Sequence, residues 1–342
     1  MGRHYTGRPS PRLEAETQPR GDVPRRLALV RAVEVGVTAG EGTVQSDGRP
    51  DLSVVIPVYG RQRSVLRAVD SVLSQPGVNA EIIVVDDASP EPVRLDDHTG
   101  RVRLVRRSVN GGASAARNEG LALAAAPLVT FLDSDDHFLP DTLAARLAAA
   151  RNLDLGGTDP VAVGCGWVEV SGGRAIAARI PREPGAPTDF LGGCWVNPGS
   201  AVLFNRAAIK AAAPFDESMR RLEDVDFFIR FAAAGGRFRV DSRLGVAIVR
   251  GAHRHPERIE TAATALSAKY GDAFGPAERR RLNAYLELER ARLAWTVGHP
   301  LRFGLHLLRS WSHHPRARLN TGPGWQAVPV PRLAPQSLSV LD

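Results

Sequence analysis

The chain has 342 residues, 43% hydrophobic and 24% charged, a globular balance that excludes a fibrous, collagen-like or wholly disordered protein. Its two cysteines, Cys165 and Cys194, fit no zinc or CxxC spacing and are too few for a disulfide scaffold, so both read as buried thiols in a reducing compartment. The net charge of +7 rests on arginine, with Lys210 and Lys269 the only lysines; compositional bias and attraction to anions both account for it, while the lack of aromatic–basic interleaving argues against nucleic acid.

Residues 1–48 are rich in Arg, Pro, Gly, Thr and Glu without a sustained period, and are expected to be a mostly disordered or loosely docked extension. Arg31 and Glu34 interrupt the apolar piece after Arg25-Arg26, which argues against an exported protein. The opening "MGRHYT" matches the N-myristoylation pattern at Gly2 and Thr6, but so short a pattern decides nothing. No window approaches the roughly 18 apolar residues of a membrane span, so a cytoplasmic protein is expected.

Order is predicted to begin at "LSVVIPVYG", a strand followed by a turn at Gly60. The helical period of Val65, Leu66, Val69, Val72 and Leu73 then runs to a stop at Pro76-Gly77. "AEIIVVDDAS" is a second strand, apolar throughout as in a parallel sheet, and "RVRLVRR" a shorter third. A small-residue helix, "GASAARNEGLALAAA", leads to a fourth strand, "PLVTFLDSDD", and a further helix, "LPDTLAARLAAARNL". This alternation predicts a doubly wound α/β half. The second half reads as a hairpin turning at Ser171-Gly172-Gly173, a strand–helix pair in "GSAVLFNRAAIKAAAPFDE", and a helix in "LEDVDFFIRFAAAGG" stopped by Gly235-Gly236. One or two strands follow in "FRVDSRLGVAIVRG". The predicted organisation is a mixed-sheet domain over 49–260, a basic helical extension over 261–322 and a loose tail over 323–342.

Two acidic groups fall at strand C-termini, where open α/β sheets bind ligands: Asp86-Asp87, and Asp133, Asp135 and Asp136. Single aspartates there can cap the following helices. Three carboxylates within four residues repel, and a hard divalent cation, Mn²⁺ or Mg²⁺, sharing them with substrate phosphates would resolve the repulsion. The chain has no G-x-x-x-x-G-K-[ST] loop and no G-x-G-x-x-G after the first strand, so the expected ligand is a nucleoside diphosphate held through a metal.

Seven elements, "SVVIPVYGRQRSVLRAVDSVLSQ", "EIIVVDDAS", "NGGASAARNEGLALA", "FLDSDDHFLPDTL", "GSAVLFNRAAI", "FDESMRRLEDVDFFIRFAAAGG" and "VRGAHRHPERI", occur in order over residues 51–260. In them the chain resembles the family 2 glycosyltransferases of the GT-A fold. The resemblance implies an inverting, metal-dependent transfer from a nucleotide-sugar, with UDP the usual carrier, to a glycan, lipid-linked or small-molecule acceptor. The setting it implies is cell-surface polysaccharide, glycolipid or natural-product glycan synthesis.

By the same resemblance Pro57 and Tyr59 line the base pocket, with Asp87 on the base, Asp86 supporting its loop and Arg117 approaching the diphosphate. Asp133, Asp135 and Asp136 form a DxD-type cluster for ribose and metal, with Asp135 the first choice for metal and Asp136 the alternative. Asp224 is the catalytic base, and Glu223 shapes the acceptor side. His255 falls on the family's Arg-x-His loop and would join the metal, although His253 stands where Arg is usual. Trp195 either stacks on a sugar or belongs to the core. The other readings are a nucleotidyltransferase, which "PVYGRQRS" does not favour, and a non-catalytic nucleotide- or glycan-binding module. The helix carrying Arg279, Arg280, Arg281, Arg290 and Arg292 either lies peripherally on the inner membrane surface or packs on the domain with a solvated basic face.

Overall fold

A computed structural model describes residues 49–96, 99–153, 155–196, 199–212, 214–250, 258–315 and 324–333. Strands β1 (Leu52–Val58) and β2 (Ala80–Asp86) are almost wholly buried, as their apolar runs require, and pair in parallel. β3 (Val102–Arg106) extends the sheet beyond β2, and β4 (Leu128–Phe131) pairs in parallel with the other side of β1. The C-termini of β1, β2 and β4 therefore share one edge. Pro57 is tolerated in this central strand because the β1–β4 register ends at Val55–Phe131, before a donor is needed at residue 57.

Beyond β4 the sheet turns antiparallel through β8 (Val202–Asn205), β6 (Val161–Ser171) and β7 (Arg174–Pro181). β9 (Arg237–Val249) is one 13-residue strand, parallel to β6 and irregular beside Gly166, and it also pairs with the short β5 (His137–Phe138). The predicted loose tail contains a strand: β10 (Trp325–Val328) adds to β7, and the Trp325 ring sits edge-on to Trp167 at 6.2 Å. Its indole N–H donates to the Trp195 carbonyl at 2.6 Å, so two contacts to buried tryptophans fix a segment whose Pro- and Gly-rich surroundings suggested none.

Alternate β1 residues feed two cores. Val54 and Ile56 pack with α1 (Gln62–Leu73) and α3 (Leu143–Asn152). Val55 faces α2 (Gly112–Leu123), α4 (Arg206–Ala212), α5 (Glu223–Ala233), α6 (Arg258–Tyr270) and α7 (Pro276–Thr296). The small residues of α2 let it approach closely: a Cβ on Gly120 would stand 2.4 Å from a Val55 methyl. α8 (Pro300–His313) folds back on α7 after Gly298, which adopts φ +76°.

Candidate active site

The loop after β2 gives its two aspartates different work. Asp86 is buried and accepts hydrogen bonds from the Ser89 and Val93 amides, at 2.8 and 3.2 Å, and from the Arg106 guanidinium. Burial alone would raise its carboxyl; the bonds from Ser89, Val93 and Arg106 outweigh it and hold the group below its usual value. Asp87 turns the other way and caps α2, accepting from the Gly111 and Gly112 amides at 2.8 and 2.6 Å, with Arg107 at 3.1 Å. Ala88, immediately after them, holds a left-handed φ of 59°. Pro57 is buried in β1, whereas Tyr59, just past its end, is about half exposed at the same sheet edge.

The loop after β4 separates its three carboxylates. Asp133 pairs with Arg117 at 2.7 Å and Asp135 with Arg61 at 2.8 Å, and both side chains are partly exposed. Burial and the neighbouring Asp133 push the Asp135 carboxyl up, against the pull of Arg61. These two carboxylates suit a divalent cation, which would relieve that excess of negative charge. Among the described residues no three His, Cys, Asp or Glu side chains gather into a complete metal-ligand set, so water and phosphate would have to fill such an ion's shell.

Asp136 is not positioned as a metal ligand. It is buried beneath the loop, where it accepts from the Ser200 hydroxyl at 2.7 Å and the Val249 amide at 3.1 Å. Burial first, then Asp133 and Asp135, push its carboxyl well above the usual value. Ser200 also accepts the Asp133 amide at 3.1 Å, so one hydroxyl organises the loop.

Arg117 connects the two acidic motifs. It is nearly buried on α2 and bonds Asp133 through one terminal nitrogen and Glu223 through the other, at 3.0 Å, with its guanidinium 5.4 Å from the Phe215 ring centre. A planar fork can span two carboxylates in this way, whereas a lysine ammonium is a single point charge. Asp224 follows Glu223 in the first turn of α5 and accepts the Val225 amide at 2.8 Å. Burial and the charge of Glu223 raise its carboxyl to about 6, against hydrogen bonding from Val225 and the attraction of Arg117 and Arg221. The preceding residue, Leu222, is left-handed at φ 57°, a conformation uncommon for a branched side chain and one that sets the entry angle of α5.

Asp133, Arg117, Glu223 and Asp224 line one cleft of about 820 Å³, which Tyr285, Glu289, Arg292 and Trp295 of α7 and Phe303 of α8 also line. Cys194 is half-buried in the lining of the cleft, whereas Cys165 is buried elsewhere in the core. The sequence pointed to neither Tyr285 nor the Arg61 and Ser200 contacts, because each meets the site through residues distant in the chain.

Trp195 cannot stack on a sugar as the chain is folded. It is fully buried, lies against Phe190 with ring centres 4.8 Å apart, and donates its indole N–H to the Arg182 carbonyl at 2.8 Å. His253 and His255 lie outside the described residues.

A mixed α/β sheet with this acidic edge is the GT-A fold. A crystal structure of S. aureus TarS in complex with UDP-GlcNAc shares it, with a TM-score of 0.51 and 18% identity over 77% of this chain and 81% of that one. Residues 53–212, a little under half of the chain, match the family model "Glycosyl transferase family 2". Succinoglycan biosynthesis protein ExoU of Rhizobium meliloti is 29% identical over 59% of this chain and 63% of its own length. The pre-mycofactocin glycosyltransferase of Mycobacterium tuberculosis is 31% identical over 66% of this chain and 47% of its own. The chain thus spans about half to two-thirds of the length of these relatives.

Proposed function

We propose that this protein is an inverting glycosyltransferase that moves a sugar from a UDP-sugar to a hydroxyl group of a glycan, lipid-linked or small-molecule acceptor. The observation that carries the proposal is the single cleft in which Arg117 ties Asp133 to Glu223 while Asp224 stands beside them with its carboxyl raised to about 6. A base in that range is mostly ionised at neutral pH yet more basic than an ordinary aspartate, which suits removal of a proton from an attacking hydroxyl. Attack opposite the leaving diphosphate inverts the anomeric carbon in one displacement. Arg117 stands where its charge can meet the phosphates, and the Tyr59 ring offers a face for a base.

Asp133 and Asp135 would hold Mn²⁺ or Mg²⁺, which when bound supplies charge neutralisation for the diphosphate. The UDP-GlcNAc complex of TarS supports a nucleotide-sugar donor, and the ExoU name supports polysaccharide synthesis as the setting.

The test is thermal unfolding with UDP, GDP, dTDP or CDP, each with Mn²⁺, Mg²⁺ or EDTA. A ligand at ~100 times its Kd adds about 2.7 kcal/mol. The expected result is a rise with UDP that disappears in EDTA and in Asp135→Asn; no rise with any diphosphate would overturn the proposal.

A further inference from the structure

α8 presents an apolar stripe to solvent. Leu301, Leu305, Leu308 and Trp311 recur at the spacing of one helical face, and Leu301, Leu308 and Trp311 are 89, 66 and 61% exposed. The opposite face packs on α7: Ser310 is buried and donates to the Ala284 carbonyl at 2.8 Å, and His306 meets Glu287 at 2.8 Å. Trp295 at the end of α7 is 67% exposed and lies beside Phe303. An exposed row of this size on one helix is uncommon unless something covers it.

The charge of this stretch of the sequence, and of α8 itself, points to the cover. Between Glu289 and Asp342 the sequence has no acidic residue, while it has seven arginines: Arg290, Arg292, Arg302, Arg309, Arg316, Arg318 and Arg332. On α8 itself Arg302 and Arg309 are exposed and border the leucine stripe. An apolar row with arginine along its margin and tryptophan at its end matches a bilayer surface, with leucines among acyl chains, indoles at the headgroups and guanidiniums on lipid phosphates. At 14 residues the helix is too short to span, and among the described residues no helix is long and apolar enough to cross a membrane.

We infer that α8 is an interfacial helix that docks the protein on an anionic phospholipid bilayer. This places the attachment on α8 rather than on the arginines of α7, of which Arg281, Arg290 and Arg292 pair with Asp189, Glu260 with Glu287, and Glu289. The cleft wall at Trp295 and Phe303 lies at the α7–α8 junction, so a docked molecule would hold the cleft near the surface. The docking itself does not rest on the transferase reading and can fail or hold independently of it.

The full chain is sedimented with vesicles of phosphatidylcholine alone or of an equimolar mixture with phosphatidylglycerol, without substrate. Binding to the anionic vesicles is expected. It should fall on the order of tenfold or more in Leu305→Asp/Leu308→Asp, since each charge must leave water to enter the interface. Both leucines are exposed, so this variant should keep the wild-type melting temperature. Arg302→Gln/Arg309→Gln should weaken binding to anionic vesicles and reduce its salt sensitivity. Absence of binding to anionic vesicles would overturn the inference, as would equal binding by wild type and the leucine variant. So would a dimer in sedimentation velocity that the leucine variant dissociates, because the stripe would then be covered by a second copy.

Discussion

Asp224→Asn should remove activity while leaving the fold as stable as before or more so. The folded carboxyl sits at about 6 against an ordinary 3.8, and the difference of about two units is worth about 3 kcal/mol at ~1.36 kcal/mol per unit. The side chain faces the cleft and is partly solvated, so about 1–3 kcal/mol is the expected range. Because the folded value is the higher one, the native state holds a proton that the unfolded chain has released between the two values. Asp224 therefore contributes favourably at low pH, and that contribution is lost as pH rises towards about 6.

At pH 7.5 wild type bears the full penalty of a buried charge, and the asparagine does not. The assay is chemical unfolding of both proteins at pH 5 and pH 7.5. The variant's advantage should grow on going to the higher pH, by about 1 kcal/mol or more, while turnover falls about 10²–10⁴-fold. Comparing the two proteins cancels the contributions of Asp135 and Asp136, whose carboxyls are also raised. A variant less stable than wild type at pH 7.5, with the same pH slope, would refute both the burial of this charge and its assignment as a poised base.

Arg117→Gln removes the charge that serves Asp133 and Glu223, so stability should fall by about 1–3 kcal/mol; because Arg117 pulls the Asp224 carboxyl down, the acid limb of the pH–rate profile should move above about 6. Trp195→Ala opens a cavity in the aromatic core and should cost about 3–5 kcal/mol in unfolding, with no change in sugar preference among nucleotide-sugars. Asp226 is fully buried between Arg230, Lys269 and Tyr270, and Asp226→Ala strands those partners, so about 3–5 kcal/mol should be lost; the UDP-dependent rise in melting temperature should persist in whatever fraction folds.

The sheet was legible because its signals are local. Continuous apolar runs gave β1, β2 and β4, and parallel pairing then forces their acidic ends onto one edge. What each acid does there was not legible. Asp86 and Asp87 are neighbours that point to opposite sides, and their sequence does not say which meets the Ser89 and Val93 amides and which the Gly111 and Gly112 amides. β10 was hidden because its stability comes from partners more than a hundred residues away. α8 was predicted as a helix, but a period of apolar residues does not say whether the stripe faces a core or solvent; that depends on α7 already covering the other side.

The acidic run after β4 shows the same division between local and distant causes. Repulsion among Asp133, Asp135 and Asp136 was apparent from spacing, and a divalent cation held by one or two of them was the expected resolution. In the structure the protein itself also answers the three charges separately, with Arg117, with Arg61, and by burying Asp136 under Ser200 and Val249 with its carboxyl driven upward. Those partners come from α2, the β1–α1 turn, the turn before β8 and β9, four segments with no sequence link to the acids. Two carboxylates, Asp133 and Asp135, thereby stay at the surface of the loop, each held by an arginine that a bound cation and diphosphate could replace or share. Asp136 fixes the shape of the loop that presents them. On this argument Asp136→Asn should disturb loop stability first and ligand affinity only through it, whereas Asp135→Asn should do the reverse.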